Sequence, residues 1–297
     1  ASQQGKLKYA LFKFAMAIGQ FKNNQARSSM LLSALYSFSD KIVLHKLRAA
    51  FGSRIRFMGA GGGKLNTSVA EFYWAMGIPI YEGYASTESG GLGIFNYPKH
   101  VKLGSVGKEH CSSHIRISDD GELQLNSPSN ALGYLQDGEI KPFTDWINTG
   151  DIVQQDKLGF LSVVDRKKDI MVTAYGKNIA PAWIEEQFSQ SQYIEDIVIT
   201  GDQKPYVSAL IVPTPSLMAL GNNKTQATIA NEINRINRNL SKYECVRAFH
   251  IIPEFDITSS TMTATFKKRR SAILDQYKNQ IDSMYHEQQS SSAILAH

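Results

Sequence analysis

Residues 54–81, RIRFMGAGGGKLNTSVAEFYWAMGIPIY, determine the expected fold class of this chain. The stretch opens with a short β-prone run at 54–58 and continues into a glycine cluster at 59–63. Apolar residues then recur at helical spacing, and a second β-prone run follows at 78–81. A strand, a glycine turn, a helix and a second strand, in that order, predict a βαβ unit. We therefore expect an α/β core around this stretch.

The glycine cluster suggests two phosphate-binding motifs, and the spacing excludes both. A Walker loop requires four residues between its first glycine and a Gly-Lys pair, with Ser or Thr next. Here Met58 stands at the first position and Leu65 follows the lysine. A dinucleotide fingerprint would require its last glycine at Lys64. The cluster therefore predicts a tight turn whose backbone can closely approach a flat group.

The segments on either side of this unit have different periodicities. Residues from about 6 to 51 show helical spacing and predict two or three helices, with Asp40 as a helix cap. Brief alternating runs punctuated by glycine from 105 to 164 predict a small antiparallel barrel or sheet. Together with the βαβ unit, these segments predict one large domain, residues 1–165.

The remainder of the chain, residues 166–297, predicts a compact α+β domain. Pro181 can open a helix, since proline is tolerated in the first turn. The other expected elements are strands at 197–199, 207–212 and 249–252, a helix whose apolar stripe is Ile229, Ile233, Ile236 and Leu240, and a last helix at 267–286. The fold class predicted for the whole chain is α/β plus α+β.

Composition favours a cytosolic globular protein. The 297 residues are 42% hydrophobic and 20% charged, and the two cysteines, Cys111 and Cys245, are too few for a disulfide framework. No run reaches the ~18 apolar residues of a membrane span, and lysines interrupt the apolar patches near the start. The chain begins without methionine in a polar segment, so we expect a fragment or a trimmed piece.

Charge and metal-ligand spacing exclude two further classes. The formal charge of +5 comes largely from the first 56 residues and the run 267–270, and because this excess is local, no nucleic-acid partner is expected. His110, Cys111 and His114 resemble metal ligands, but a closed zinc site needs four donors. No further cysteine or histidine lies close in sequence, so we expect no zinc site there.

The segment EGYASTESGG, residues 82–91, concentrates polar side chains just past a predicted strand end, where α/β sheets bind ligands. The ring of Tyr84 could stack on a base. Thr87 could donate to a phosphoryl oxygen, and Glu88 could hold Mg²⁺ through a carboxylate oxygen. These residue types suit a nucleotide site, although a polar loop after a strand would have the same composition.

Six segments, in order along nearly the whole chain, resemble the acyl-adenylate-forming superfamily, and within it the long-chain fatty acyl-CoA synthetases. They are Ala60-Gly-Gly-Gly-Lys-Leu65, Gly83-Tyr-Ala-Ser-Thr-Glu88, Gly121-Glu-Leu123, Trp146-Ile-Asn-Thr-Gly-Asp151, Asp165-Arg-Lys-Lys-Asp169 followed by Gly176-Lys-Asn-Ile-Ala-Pro-Ala-Trp-Ile-Glu185, and Thr263-Ala-Thr-Phe-Lys267. Each segment is weak alone, but the order is specific. The departures are Ala85 for the usual glycine, Lys64 and Ala264 where proline is common, and Asn126-Ser127 for a basic residue and glycine. We expect these departures to tune activity.

The resemblance implies an incomplete large adenylate-forming domain, with a βαβ core and a small barrel or sheet, followed by a small mobile lid domain. It implies a ligase that activates a long-chain fatty acid with ATP and Mg²⁺ to acyl-AMP and then transfers the acyl group to CoA. The phosphate loop that normally precedes these segments is missing, so we expect the fragment alone to be inactive and the longer parent protein to be active. Peripheral association with a membrane is compatible with this assignment, and no oligomeric state is implied.

The resemblance also assigns roles to individual residues. Lys267 would be the adenylation lysine, bridging the substrate carboxylate and the α-phosphate. A swing of the small domain about Asp165 and Lys168 would exchange it for Gly176 and Lys177, which would line the CoA tunnel. The remaining assignments are Gly61, Gly62, Gly63, Glu82, Gly83 and Tyr84 around adenine, Asp151 and Arg166 at the ribose, Thr87 and Glu88 at the phosphate and metal, and Trp146 as gate of the fatty-acid tunnel.

Two alternative functions stay open at this level. The acyl acceptor could be acyl carrier protein, or the reaction could stop at the adenylate, because no acceptor surface is legible in the sequence. A non-catalytic nucleotide- or lipid-binding module is the alternative from another class, and the missing phosphate loop is the observation that favours it.

Overall fold

A computed structural model of the chain describes residues 3–23, 30–52, 54–110, 113–255, 261–263 and 267–286. The chain divides into two compact units, Ala1–Val163 and Val164–His297. Across the described ranges, no helix has both the length and the apolar content that a bilayer span requires.

The first unit begins with helices, as the periodicity predicts. They are α1 (Gln3–Asn23), α2 (Met30–Ser39), a π-helical turn (Asp40–Leu44) and α3 (His45–Ala49). The prediction that Asp40 caps a helix is wrong, because the helical backbone runs on through it. Its carboxylate instead accepts hydrogen bonds from both terminal nitrogens of Arg48, whose guanidinium also donates to the Met76 carbonyl at 2.8 Å. This contact joins α3 to the end of the following helix.

The βαβ unit is confirmed, with shifted boundaries. It comprises β1 (Met58–Ala60), α4 (Thr67–Ala75) and β2 (Ile80–Ser86), and Asn66 caps α4 by accepting the Ser68 N–H at 2.9 Å. The strands pair in parallel, with Ala60 opposite Glu82. The first predicted strand, 54–58, starts only at Met58, where hydrogen bonding to the second strand begins.

The expectation that 82–91 forms a polar loop after the strand is only partly correct. β2 continues through residue 86 because it pairs in antiparallel fashion with β3 (Gly91–Phe95), which places Tyr84 opposite Ile94. A short strand, β4 (Lys108–Glu109), completes the sheet in the order β1-β2-β3-β4. Only residues 87–90 form the turn.

The glycine-rich region that follows forms a small sheet, which is the second of the two predicted options. The sheet contains β5 (His114–Ile117), β6 (Glu122–Asn126), β9 (Ile147–Gln155) and β10 (Leu161–Arg166), in the order β10-β9-β6-β5. A separate hairpin consists of β7 (Gly133–Gln136) and β8 (Glu139–Pro142). No closed barrel is formed by the strands of the described residues.

The second unit is built on a three-stranded sheet of β13 (Ile194–Thr200), β14 (Val207–Pro213) and β15 (Val246–Ile251), in that order, with β14 antiparallel to β13 and parallel to β15. Side chains of the central strand alternate between two cores: Val207, Ala209 and Ile211 join one, and Leu210 and Val212 join the other. The elements in order are β11 (Met171–Val172), β12 (Asn178–Ile179), α5 (Pro181–Phe188), β13 (Ile194–Thr200), β14 (Val207–Pro213), α6 (Pro215–Met218), α7 (Asn222–Asn237), β15 (Val246–Ile251), α8 (Arg270–Gln276) and α9 (Lys278–His286).

The helix expected to open at Pro181 is confirmed as α5, and the amphipathic helix is confirmed as α7 with Ile229, Ile233 and Ile236 on its buried stripe. Leu240, the last residue of the predicted stripe, lies beyond the end of α7 at Asn237. The single last helix predicted at 267–286 is wrong. It is two helices, because Tyr277 leaves the helical conformation between them, and the first helix starts only at Arg270. Lys267 therefore lies before the helix.

Both faces of the central strand of the second unit are buried, so truncating one of its side chains should strongly reduce the stability of this unit. Leu210 is fully buried, at 0% exposure, so Leu210→Ala should lower the free energy of unfolding of this unit by about 2–5 kcal/mol through lost burial and a residual cavity. Urea denaturation followed by circular dichroism measures the change. Leu220→Ala, at a residue that is 57% exposed, is the matched control and should change it by less than about 0.5 kcal/mol. Equal effects of the two substitutions would contradict this core.

Candidate functional site

Two of the predicted site residues meet across the first unit. Tyr84 on β2 donates its hydroxyl proton to Oδ2 of Asp151 on β9 at 2.5 Å, although 67 residues separate them. Asp151 is buried and the Tyr84 ring is half-buried. The pair places an aromatic ring beside a carboxylate, which suits a base and its ribose.

The glycine segment, residues 61–63, follows the carboxyl end of β1. That strand pairs with β2, which carries Tyr84. Gly61, Gly62 and Gly63 are exposed, and Gly62 has a left-handed φ of 77°. A Cβ atom added at Gly61 would lie 3.4 Å from the Gly83 carbonyl, whereas one added at Gly62 or Gly63 would meet nothing within 4 Å. The segment thus has one side against β2 and an open side that a flat group could approach.

Two buried glutamates hold the loops that carry these residues. Oε1 of Glu82 accepts the Leu65 N–H at 2.9 Å, so its carboxylate fixes the end of the glycine segment. Oε1 of Glu122 accepts the Gly150 N–H at 2.9 Å, directly before Asp151. Each glutamate is 7% exposed. The family resemblance implies a nucleotide role for Glu82 and none for Glu122, although Glu122 lies in the matching Gly-Glu-Leu segment.

The predicted phosphate and metal residues lie on the turn after β2. Thr87 is exposed and Glu88 is half-buried. Oε1 of Glu88 accepts a hydrogen bond from the Tyr134 hydroxyl on β7 at 2.7 Å, and this bond raises the pKa of Tyr134. Tyr134 was not among the predicted site residues, because nothing in its local sequence pattern shows that the hairpin folds back onto this turn. A carboxylate at this position is a suitable oxygen ligand for Mg²⁺.

Trp146, the predicted gate, is half-buried at the start of β9. The guanidinium of Arg116 on β5 lies over its ring, 4.4 Å from the centroid, a cation–π contact that restrains the indole. The Trp146 carbonyl accepts the Thr144 hydroxyl at 2.8 Å.

In the second unit, the predicted hinge residues differ in environment. Asp165 is buried, and its carboxylate accepts the N–H groups of Arg166 at 2.7 Å and of Ala182, in the first turn of α5, at 2.8 Å. Burial raises the pKa of Asp165, while these two N–H donors and the charge of Arg270 act in the opposite direction. Arg166 and Lys168 are exposed. Asp165 is therefore anchored within the second unit.

The segment assigned to the CoA tunnel is an ordered turn. Gly176 has a φ of 71° and donates to the Thr173 carbonyl at 2.8 Å, and Lys177 donates from its backbone to Oγ1 of Thr173 at 3.2 Å. The Lys177 ammonium lies over the ring of Tyr243, 4.9 Å from the centroid. Both residues are exposed.

Lys267 is exposed in a loop of the second unit. Its N–H donates to Oγ1 of Thr263 at 3.0 Å, and its carbonyl accepts the Thr263 N–H at 2.8 Å. The intervening residues, 264–266, lie outside the described part of the chain, and so does the departure Ala264. Lys267 thus belongs to the second unit, whereas Tyr84 and Asp151 belong to the first.

The former zinc candidates have other contacts. His110 stacks on Tyr97 with ring centroids 4.7 Å apart, and Nδ1 of His114 lies 3.3 Å from a Glu109 oxygen. Cys111 lies outside the described residues. Within the described ranges, no group of three or more metal-ligating side chains is assembled.

Two family models match this chain. The model described as AMP-binding enzyme matches residues 13–136, and the model described as AMP-binding enzyme C-terminal domain matches residues 168–289. The first match lies within the first unit and the second within the second unit, and both models describe AMP-binding enzymes.

Curated relatives of this chain are named as long-chain-fatty-acid--CoA ligases. Long-chain-fatty-acid--CoA ligase FadD15 of Mycobacterium bovis is 34% identical over 281 residues, which is 87% of this chain and 47% of the relative. Long-chain-fatty-acid--CoA ligase 6 of Homo sapiens is 28% identical over 314 residues, 94% of this chain and 44% of the relative. The chain spans about half the length of the curated relatives it matches.

Solved structures share the fold. The adenylation domain of a carboxylate reductase from Mycobacterium chelonae has a TM-score of 0.69 at 19% identity, covering 93% of this chain and 45% of that one. O-succinylbenzoate coenzyme A synthetase from Bacillus subtilis, in complex with ATP and magnesium ion, has a TM-score of 0.60 at 20% identity, covering 88% of this chain and 64% of that one. These likenesses establish the adenylate-forming fold.

Proposed function

The chain belongs to the AMP-binding enzyme family, and from this membership we propose that it is the carboxyl-terminal part of a longer parent protein that is an AMP-forming long-chain fatty acid–CoA ligase. In the first step, a fatty-acid carboxylate oxygen attacks the α-phosphorus of ATP, and the bond to the β-phosphate oxygen breaks to release pyrophosphate. In the second step, the CoA thiolate attacks the acyl carbonyl carbon, and AMP leaves.

The observation that carries this proposal is the Tyr84–Asp151 contact beside the glycine segment. Adenine would stack on the Tyr84 ring, with the open side of Gly62 and Gly63 against its other face. The buried Asp151 carboxylate would accept hydrogen bonds from the ribose hydroxyls, and the guanidinium of the exposed Arg166 would donate to the hydroxyl oxygens. Phosphoryl transfer offers a protein little covalent chemistry, so this positioning is the main contribution of the pocket.

The charged groups would act on the phosphates. Thr87 would donate to a phosphoryl oxygen, and Glu88, aligned by Tyr134, would hold Mg²⁺. Mg²⁺, when bound, neutralises phosphate charge. Lys267 would supply a further cation between the two reacting anions, where negative charge gathers in the transition state.

We also propose that the second unit moves between the two steps. Since Asp165 is anchored to the first turn of α5, it would travel with the second unit, and the exposed Lys168 would follow it. The rotation would bring Lys267 to the site for adenylation and then Gly176 and Lys177 for thiolysis, with Trp146 near the path to the fatty-acid tunnel.

Fatty-acid-dependent exchange of pyrophosphate with ATP by the purified parent protein tests this function. We expect exchange with long-chain acids that falls for short ones, and thioester formation when free CoA is added. We expect the present chain alone to give no exchange, because it spans only about half the length of the curated relatives it matches. Absence of exchange with every carboxylic acid would favour a non-catalytic module, and exchange without a CoA thioester would favour an acyl carrier protein as acceptor.

A cytosolic location and peripheral membrane association stay predictions. Exposed apolar side chains on α1, such as Leu7 at 64% and Phe21 at 59%, alternate with lysines on a helix that has no acidic residue. Co-sedimentation of the parent protein with anionic vesicles tests the association.

A further inference from the structure

Four consecutive cations follow the Thr-x-Thr segment, and the structure sorts them into two kinds. Lys267 and Arg269 are exposed, whereas Lys268 and Arg270 are half-buried. The two half-buried residues alternate with the two exposed ones, as in an extended segment with one face against the protein. The run is thus not a uniform basic patch.

The half-buried cations bind the outer edge of β13. Nζ of Lys268 donates to Oδ1 of Asp196 at 2.6 Å and to the Ile197 carbonyl at 2.8 Å. Arg270 donates to the Ile199 carbonyl at 2.7 Å and forms an ion pair with Glu185. Because β13 is at the edge of the sheet formed by the described residues, no strand among them pairs with these carbonyl groups, and the two side chains donate to them instead.

The contact of Arg270 with β13 is itself held in place by Glu185. Oε1 of Glu185, on α5, accepts the Ile199 N–H at 2.8 Å as well as the Arg270 guanidinium. The side chains of this ion pair are only 14% and 17% exposed. Charge-assisted hydrogen bonds of this kind strongly restrict the conformations of both side chains.

Backbone contacts between residues 261–263 and the basic run close the base of the loop that carries Lys267. The Arg269 N–H donates to the carbonyl of the buried Thr261 at 2.7 Å, and Met262 forms an antiparallel bridge with Lys268. With the paired backbone contacts of Thr263 and Lys267, these bonds form a short ladder that ends at Lys267. The ladder is held to β13 one residue after the lysine.

We propose that Lys268 and Arg270 are positioning residues that fix the base of this loop, so that the Lys267 ammonium is presented from a rigid support. The inference rests on the proposed function, in which Lys267 acts in adenylation. A misplacement of about 1 Å at a reacting group can lower a rate about 10²-fold, so a loose loop base would slow the step that uses Lys267 and no other.

The test uses four variants of the parent protein, with each half-reaction measured separately. We call the hydrogen bonds of the Lys268 ammonium to Asp196 and to the Ile197 carbonyl the clamp. Lys268→Met removes the clamp, and Asp196→Asn weakens it from the other side without changing the basic run. Lys268→Arg should restore most of the contact, and Arg269→Met removes an exposed cation from the same run as a matched control. Single-turnover formation of acyl-AMP reports adenylation, and thiolysis of supplied acyl-AMP by CoA reports the second step.

We expect Lys268→Met to slow acyl-AMP formation about 10- to 100-fold, with KM for ATP and thiolysis unchanged within about twofold. Asp196→Asn should slow the same step, Lys268→Arg should recover most of the rate, and Arg269→Met should match the unmodified protein. A purely structural role would lower both half-reactions together, and that result overturns the proposal. An unchanged rate in Lys268→Met, or an equal loss in Arg269→Met, overturns it as well.

A parallel Lys267→Ala measurement separates this inference from the proposed function. If Lys267→Ala leaves adenylation intact, the role of the lysine is wrong, and the clamp has nothing to position. If Lys267→Ala slows adenylation and Lys268→Met does not, only the clamp is wrong.

Discussion

Lys267→Ala in the parent protein is expected to lower the rate of acyl-adenylate formation about 10²- to 10³-fold, the usual effect of removing one transition-state donor. The exposed ammonium at the end of the loop ladder is the group proposed to bridge the carboxylate and the α-phosphate. Thiolysis of supplied acyl-AMP should change by less than about threefold, because the lysine is proposed to leave the site before that step. Rapid-quench measurement of pyrophosphate release gives the first rate, and acyl-CoA formation gives the second.

Arg269→Ala is the control for this prediction, since it removes an exposed cation two residues away. It should leave both half-reactions unchanged. Equal losses of adenylation and thiolysis in Lys267→Ala would contradict the assignment of the lysine to one step.

Asp151→Ala is expected to weaken AMP binding by the parent protein about 10²-fold. The buried carboxylate is proposed to accept ribose hydroxyls, and hydrogen bonds to a charged group contribute about 1.5–3 kcal/mol each. Tyr84→Phe should weaken binding less, about tenfold or under, because the ring remains available for stacking while only the hydroxyl bond to Asp151 is lost. Isothermal titration calorimetry with AMP measures both effects.

Asp145→Ala provides the matched control, because it removes an exposed carboxylate six positions earlier, just before β9. It should bind AMP like the unmodified parent protein. If Asp151→Ala binds AMP as tightly as Asp145→Ala does, the ribose is not held by Asp151.

Features that follow from local periodicity were predictable from the sequence. The stripe of α7 and the start of α5 at Pro181 were confirmed, since helical spacing and first-turn proline depend on neighbouring residues only. The order of strand, glycine turn, helix and strand was likewise enough to predict the parallel pairing of β1 and β2.

Features that depend on partners distant in the chain were not predictable. Asp40 looked like a helix cap, but its partner is the guanidinium of Arg48, and β2 extends past its predicted end because β3 folds back on it. The bond from Tyr134 to Glu88 joins residues 46 positions apart. No periodicity within either segment carries that information.

The contacts of the basic run at 267–270 likewise depend on partners distant in the chain and could not be predicted from the sequence. The sequence predicted a helix that starts at residue 267, yet the helix begins at Arg270. Lys268 instead reaches the carbonyl of Ile197, 71 positions earlier. The family resemblance predicts a role for Lys267 from its Thr-x-Thr context, whereas only the fold shows which neighbouring cations hold its loop.

The most direct test is a crystal structure of the parent protein with a non-hydrolysable fatty-acyl adenylate analogue. We expect adenine stacked on Tyr84, ribose hydroxyls within hydrogen-bond distance of Asp151, and the Lys267 ammonium within the same distance of the acyl-phosphate mimic. An analogue bound away from Tyr84 and Asp151, or a Lys267 that points to solvent while the adenylate occupies its pocket, would contradict it.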